Sequence, residues 1–120
     1  MLLDTNIVIY SVQQQYSHVR EFIAEHTPLV STISYIEALG FTRIQHDERV
    51  ALESFFADAK LLPISQMVML EAVRLRQTRK MSLGDSIIAA TALVHGLTLA
   101  TRNLDDFRWI PDLTLLDPLA

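Results

Sequence analysis

Very short apolar runs alternate with stretches of helical periodicity along all 120 residues, and this alternation constrains the fold more than any other feature. The runs are "LLD" at 2–4, "PLVST" at 28–32, "LLPI" at 61–64, "LTLATR" at 97–102 and "LTLLD" at 113–117. Runs this short and this apolar fit strands buried on both faces, as in a parallel sheet. Between them the periodicity predicts a helix from about Asn6 and an amphipathic helix over Ser17–His26, with Val19, Phe22 and Ile23 on one face. A helical hairpin follows, "ISYIEALGFTRI" (33–44) and "DERVALESFFADA" (47–59). Two longer helices come next, "QMVMLEAVRLRQTR" (66–79) and "LGDSIIAATALVHG" (83–96), the second stopped by Gly96. The expected architecture is α/β with three layers, a central, mostly parallel sheet carrying helices on both faces, built as one domain over residues 1–120. "LTLLD" is expected at the sheet edge. In such folds the working site lies beyond the carboxyl ends of the strands.

Composition narrows the function classes. Half the residues are hydrophobic, yet no apolar run reaches the roughly 18 residues of a membrane span. No charged leader with a small-residue cleavage site is visible, so neither membrane nor secretory pathway is expected. There is no cysteine, which removes disulfides and thiolate metal sites and fits a reducing cytoplasm. Ten Lys+Arg against fourteen Asp+Glu give a net charge of −4, which taken alone counts against nucleic-acid binding.

The acids are the informative residues. Asp4 ends the first strand, as either a helix N-cap or a working group. Glu37 shares a helical face with Ile33 and Phe41. A glutamate on an apolar stripe either lies at its edge in water or needs a partner, because an unpaired buried charge is costly. Asp85 opens the most apolar helix, in line with Ile88, Ala89 and Ala92. "SLGD" also reads as a capping box, and Ala89, Ala90 and Ala92 are small enough to lay that helix close against the sheet. Asn103 can cap a short turn that carries Asp106 three residues later. Each acid has a local capping or surface explanation. Together, four separate elements deliver one acid each to the same edge of the sheet.

"LLDTN", "STISYIEAL", "GDSIIAATAL" and "LATRNLDDF" occur in this order, and the chain resembles PIN-domain ribonucleases, most closely the VapC-like toxins of VapBC toxin–antitoxin pairs. "DTN" alone is a weak signal; "GDSIIAATAL" followed about a dozen residues later by "TRN" and "DF" is a strong one. The resemblance implies a PIN-like fold, RNA cleavage dependent on Mg²⁺ or Mn²⁺, a cognate antitoxin and a homodimer. It carries the acidic pocket to Asp4, Glu37, Asp85 and Asp106, with Asn6, Thr101 and Asn103 as polar supports. Of the adjacent Asp105 and Asp106, the acid before Phe107 is the matching one. Asp4 and Asp85 are then the primary metal ligands, while Asp106 and Glu37 complete the pocket and position the attacking water.

The residue types agree with that chemistry. Phosphodiester hydrolysis needs an activated water and a stabilised leaving oxygen, and one or two hard divalent ions serve both needs. Such ions take carboxylate oxygens, and neither cysteine nor clustered histidine is present to suggest zinc. Carboxylates roughly 5 Å apart repel by about 3 kcal/mol per pair at an effective dielectric near 20, so a cluster of them favours a cation. Setting four pocket acids aside leaves ten acids against ten Lys+Arg, a balanced surface that permits RNA binding. Arg76, Arg79 and Lys80, on one face at the end of the helix before Asp85, are read as an RNA-gripping rim or as cations favoured by the helix C-terminus. Arg43, Arg102 and Arg108 are weaker candidates. His18, His26, His46 and His95 are expected at the surface or at helix ends, and Trp109, Met67 and Met69 in core or interface. Exposed apolar patches for the dimer and the antitoxin are sought at Val19, Phe22 and Ile23 or at Phe55 and Phe56.

Two rival classes lack their residues. A haloacid-dehalogenase-type phosphotransferase wants Asp-x-Asp after strand one, but Asn6 stands in the second place. A receiver module wants an acid after the central strand, and "LLPI" supplies none. The remaining alternative is a catalytically silent PIN scaffold that binds protein or RNA.

Overall fold

The computed structural model describes residues 1–120. Strand β1 (Leu2–Leu3) leads into α1 (Thr5–Ser11), a turn of 3-10 helix at Gln14–Tyr16 and α2 (Ser17–Ala24). Then come β2 (Leu29–Ser31), the helices α3 (Thr32–Leu39) and α4 (His46–Asp58), and β3 (Lys60–Leu62). The second half runs α5 (Gln66–Thr78), α6 (Leu83–His95), β4 (Leu99–Ala100), α7 (Leu104–Phe107) and β5 (Leu115–Leu116).

The five strands form one sheet in the order β3-β2-β1-β4-β5, all parallel, with β5 at an edge as expected. β1 is central, pairing Leu2 with Leu29 and Leu99, and Leu3 with Val30 and Ala100. Alternation along these strands splits the core in two. Leu2 and Leu99 pack with Val68, Leu75, Ile88 and Phe107, on the side of α5 and α6. Leu3, Val30 and Ala100 pack with Ile7, Val8, Val19, Ile23, Leu52 and Phe56, on the side of α1, α2 and α4. Leu2 and Leu3 are fully buried, and burying each contributes about 1.5–3 kcal/mol, which fixes a two-residue strand that propensity alone would not hold.

The local signals for α6 are strong. The Ser82 side chain accepts from the Asp85 N–H at 3.1 Å, and Gly96 closes the helix at φ 63°, a left-handed conformation suited to glycine. Ala89 and Ala90 are fully buried, so α6 lies close to the sheet, packing against both α5 and α3.

Four expectations change. The helix read over 33–44 stops at Leu39, with Gly40 as its C-cap and Phe41 left exposed. A side chain at 40 would collide with the Ile36 carbonyl, so Gly40 is a stop signal that the apolar periodicity concealed. α5 ends at Thr78, and Arg79 is extended at φ −156°, so Arg76, Arg79 and Lys80 do not share a helical face. Val19, Ile23 and Phe56 are core residues and Phe22 and Phe55 are half-buried, so the exposed apolar patches lie elsewhere. Met67 and Met69, read as core or interface, are exposed, so the core half of that reading falls away. The four histidines are all exposed, as read.

Candidate active site

The order β3-β2-β1-β4-β5 reverses direction between β1 and β4, which opens a crevice beyond their carboxyl ends. Asp4 and Thr101 are the first residues past those two strands, and they bridge the crevice. The Thr101 hydroxyl donates to Asp4 Oδ2 at 2.8 Å, and the Thr5 N–H donates to Asp4 Oδ1 at 2.8 Å. Asp4 is 4 % exposed and caps α1. Capping and pocket lining are therefore one arrangement at Asp4, not alternatives.

Glu37 reaches the same edge from α3. Its Oε1 accepts from the Thr5 hydroxyl at 2.6 Å, and Ser34 Oγ lies 2.8 Å from that hydroxyl. With the Thr5 proton committed to Glu37, Ser34 donates to Thr5. Asp85 arrives as the third residue of α6. Gly84 before it matters, because a Cβ there would collide with the Glu37 carboxylate. The close approach of α6 to Glu37 thus requires glycine.

Electrostatics ties the four acids together. Burial pushes the Asp85 carboxyl from 3.8 up to about 6, reinforced by the charges of Asp4, Asp106 and Glu37 and partly offset by the Ser82 hydroxyl. Asp4 is also raised, first by burial and further by Glu37 and Asp106, against the pull of its two hydrogen bonds. Glu37 and Asp106 are exposed. The pocket therefore holds oxygen donors whose charge is uncompensated, which is the chemistry a hard divalent cation relieves. The carboxylates are not drawn together, however: no three acid or histidine side chains are grouped as they would be around an ion.

A family model for the PIN domain matches residues 1–113. The chain belongs to the PIN domain family. Among solved structures, a toxin–antitoxin complex from Klebsiella pneumoniae contains a chain 30% identical, at a TM-score of 0.76, with 98% of this chain and 96% of that one covered. VapBC-1 from nontypeable Haemophilus influenzae matches at 25% identity and TM-score 0.81, covering 99% and 98%. DNA-bound VapBC from Salmonella typhimurium matches in fold at 24% identity and TM-score 0.83, covering 98% and 96%. No curated protein matches the chain.

In this PIN domain the expected supporting residues separate. Thr101 holds Asp4 and also accepts from the Asn103 N–H at 3.1 Å. Asn103 contributes through its backbone, and its side chain caps nothing. Asn6 is exposed, and its side chain forms no hydrogen bond within the chain. The support expected of it comes instead from Thr5, with Ser34 behind. Neither was singled out in the sequence, although Ser34 stands three residues before Glu37, on the same side of α3. Glu37 is not a buried charge on an apolar stripe, because Ile36 and Phe41 are themselves exposed. Asp105 pairs with Arg108 at 3.1 Å, whereas Asp106 acts on Asp4 and Asp85. Arg79 and Lys80 line a polar pocket with Asp85 and Asp106, and Arg102 and Arg108 flank Asp106 on another side. Arg76 lines neither.

Proposed function

We propose that the protein is a metal-dependent endoribonuclease, the VapC-like toxin of a toxin–antitoxin pair, acting in the cytoplasm. The observation that carries this reading is the convergence of Asp4, Glu37, Asp85 and Asp106 at the switch point of the sheet, where the charges of Glu37 and Asp106 act on both Asp4 and Asp85. Asp4 and Asp85 would hold Mg²⁺ or Mn²⁺, with Asp106 and Glu37 completing the set. When bound, the ion supplies charge stabilisation at the phosphate and makes water a competent nucleophile. The chain's own part is positioning. Thr101 and the Thr5 N–H fix both oxygens of Asp4, so its orientation is set before any ligand arrives. The Thr5 hydroxyl aims Glu37, which, like Asp106, is open to solvent and able to accept the proton of the attacking water. Arg79, Lys80, Arg102 and Arg108 offer cations to the RNA backbone around these acids.

The test is cleavage of single-stranded RNA by protein free of contaminating nuclease. Activity is expected with Mg²⁺ or Mn²⁺ and none in EDTA; cleavage undiminished by the chelator would overturn the reading. A second reading, the catalytically silent PIN scaffold, draws on the absence of a grouped ligand set. It predicts protein or RNA binding without new 5′ ends.

Two partners belong to the proposal. Exposed apolar residues on α3 (Tyr35, Ile36) and α5 (Met67, Leu70, Val73) stand on the two helices that flank α6, with Ile36 62% and Met67 67% exposed. A second copy covering them gives a two-fold homodimer. Light scattering is expected to return a dimer at micromolar concentration, and Ile36→Glu with Leu70→Glu a monomer. A monomeric wild type would count against it. The antitoxin is assigned to the groove of about 250 Å³ lined by Ile9, Ala38, Phe41 and Leu52, which runs into Glu37. A partner arginine following that groove reaches the acidic pocket and pairs with its carboxylates.

A further inference from the structure

The polar pocket of about 200 Å³ at the α5–α6 junction is lined by Arg79, Lys80, Ser82, Asp85, Asp106 and Trp109, among others. Cations and acids share it, yet no ion pair forms inside. The three ion pairs of the chain join Arg49 to Glu53, Arg74 to Glu71 and Arg108 to Asp105. Charges of both signs are held apart across a small space. A lone anion would meet the acids and a lone cation the basic wall. A phosphodiester accompanied by a divalent cation satisfies both walls at once.

That leaves Trp109, the one tryptophan of the chain. It is half-buried and packs partly against the α5–α6 core. Its indole N–H donates to the Asp106 backbone carbonyl at 3.0 Å, which ties the ring to the turn that carries the Asp106 carboxylate. The Arg79 guanidinium lies over the ring, 5.5 Å from its centre. Packing and the N–H bond already anchor the indole without Arg79. Arg79 is exposed, extends from the end of α5 and forms no ion pair, so nothing else holds it there.

The geometry points to a nucleobase subsite, with Trp109 as the stacking platform for the nucleotide next to the scissile phosphate and Arg79 as its movable cover. This rests on the ribonuclease reading above and adds to it how the substrate is gripped. An exposed cation–π pair is weak, whereas base–aromatic stacking is stronger and accepts any base. The incoming base takes the ring, and the displaced guanidinium gains charge-assisted bonds to a phosphate oxygen. Only an unstacked base can reach the ring, so the subsite selects single-stranded RNA.

The sole tryptophan is its own reporter. Titrating the protein in Mg²⁺ with a single-stranded RNA oligonucleotide made cleavage-resistant by phosphorothioate linkages is expected to quench Trp109 emission saturably. In Mg²⁺, Trp109→Leu and Arg79→Gln are each expected to raise KM for RNA about tenfold with kcat changed far less, while Trp109→Phe keeps most of the wild-type KM. Unchanged emission at saturating RNA, or wild-type KM in both the Leu and Gln variants, would overturn the subsite. Should Trp109→Leu fail to fold, Arg79→Gln and the titration decide alone. A wild type that cleaves no RNA in any metal removes the ribonuclease reading, and the titration still decides whether Trp109 binds RNA.

Discussion

Asp85→Asn is expected to lower RNA cleavage by about a thousandfold or more while leaving the metal-free protein as stable as the wild type, or more stable. The first effect follows because an amide is a poor ligand for a hard cation and cannot replace the charge. The second follows from the raised carboxyl. Its folded value of about 6 lies above the ordinary 3.8, so the folded chain binds more protons than the unfolded chain between those values. Stability in EDTA should therefore fall as pH rises from about 4 to about 6, and the Asn variant should lose much of that slope. Partial exposure of Asp85 screens the effect, so a modest shift in Tm is the expected readout. The helix start does not suffer, because the N-cap is the Ser82 hydroxyl, which bonds the Asp85 backbone. Asp4→Asn should be equally inactive but less well tolerated, since both Asp4 oxygens accept hydrogen bonds and an amide offers only one acceptor. Clear destabilisation by Asp85→Asn in EDTA at neutral pH would show that the acid serves the fold.

The fold was legible in the sequence wherever the signal was local. Alternation of apolar runs with helices gave the parallel sheet, and Ser82 with Gly96 bracketed α6. Errors arose where apolar periodicity ran on past a break. α3 ends at Gly40, where any side chain would collide with the Ile36 carbonyl, and no periodicity encodes that. Arg79 continues the pattern of α5 on paper but is extended in the molecule. The candidate acids were legible as anomalies: Asp4, Asp85 and Asp106 as acids beside apolar residues at a strand end or helix start, and Glu37 as an acid on an apolar helical stripe. Their supports were less so. Asn6 was expected as a support only through the family resemblance, yet it is the hydroxyl of Thr5 that reaches Glu37, a contact across 32 residues. Which side of a short helix faces the pocket depends on how α1 and α3 cross, and that is a tertiary fact. Trp109 shows the same limit: it packs partly against the core and also lines the pocket, so neither role alone describes it.

The role of Glu37 has a test that leaves its own side chain in place. Gly84→Ala adds one methyl group where the Glu37 carboxylate lies. The obstacle is the far end of a flexible side chain, so the fold yields cheaply: Glu37 turns away and gives up the Thr5 hydroxyl. The backbone tolerates alanine in the first turn of α6, and replacing glycine in a helix gains up to about 1 kcal/mol. Stability should therefore stay level or rise. Cleavage should fall about 10- to 100-fold, the usual consequence of moving a reacting group by about an ångström. Falling activity with a level or rising Tm is the opposite of what a damaged fold gives. Glu37→Gln completes the argument. If the methyl group acts only through Glu37, the double variant should cleave no more slowly than Glu37→Gln alone. Additive losses would mean that Gly84 serves the site by another route, and wild-type cleavage by Gly84→Ala would mean that the reaction does not need Glu37 where Thr5 holds it.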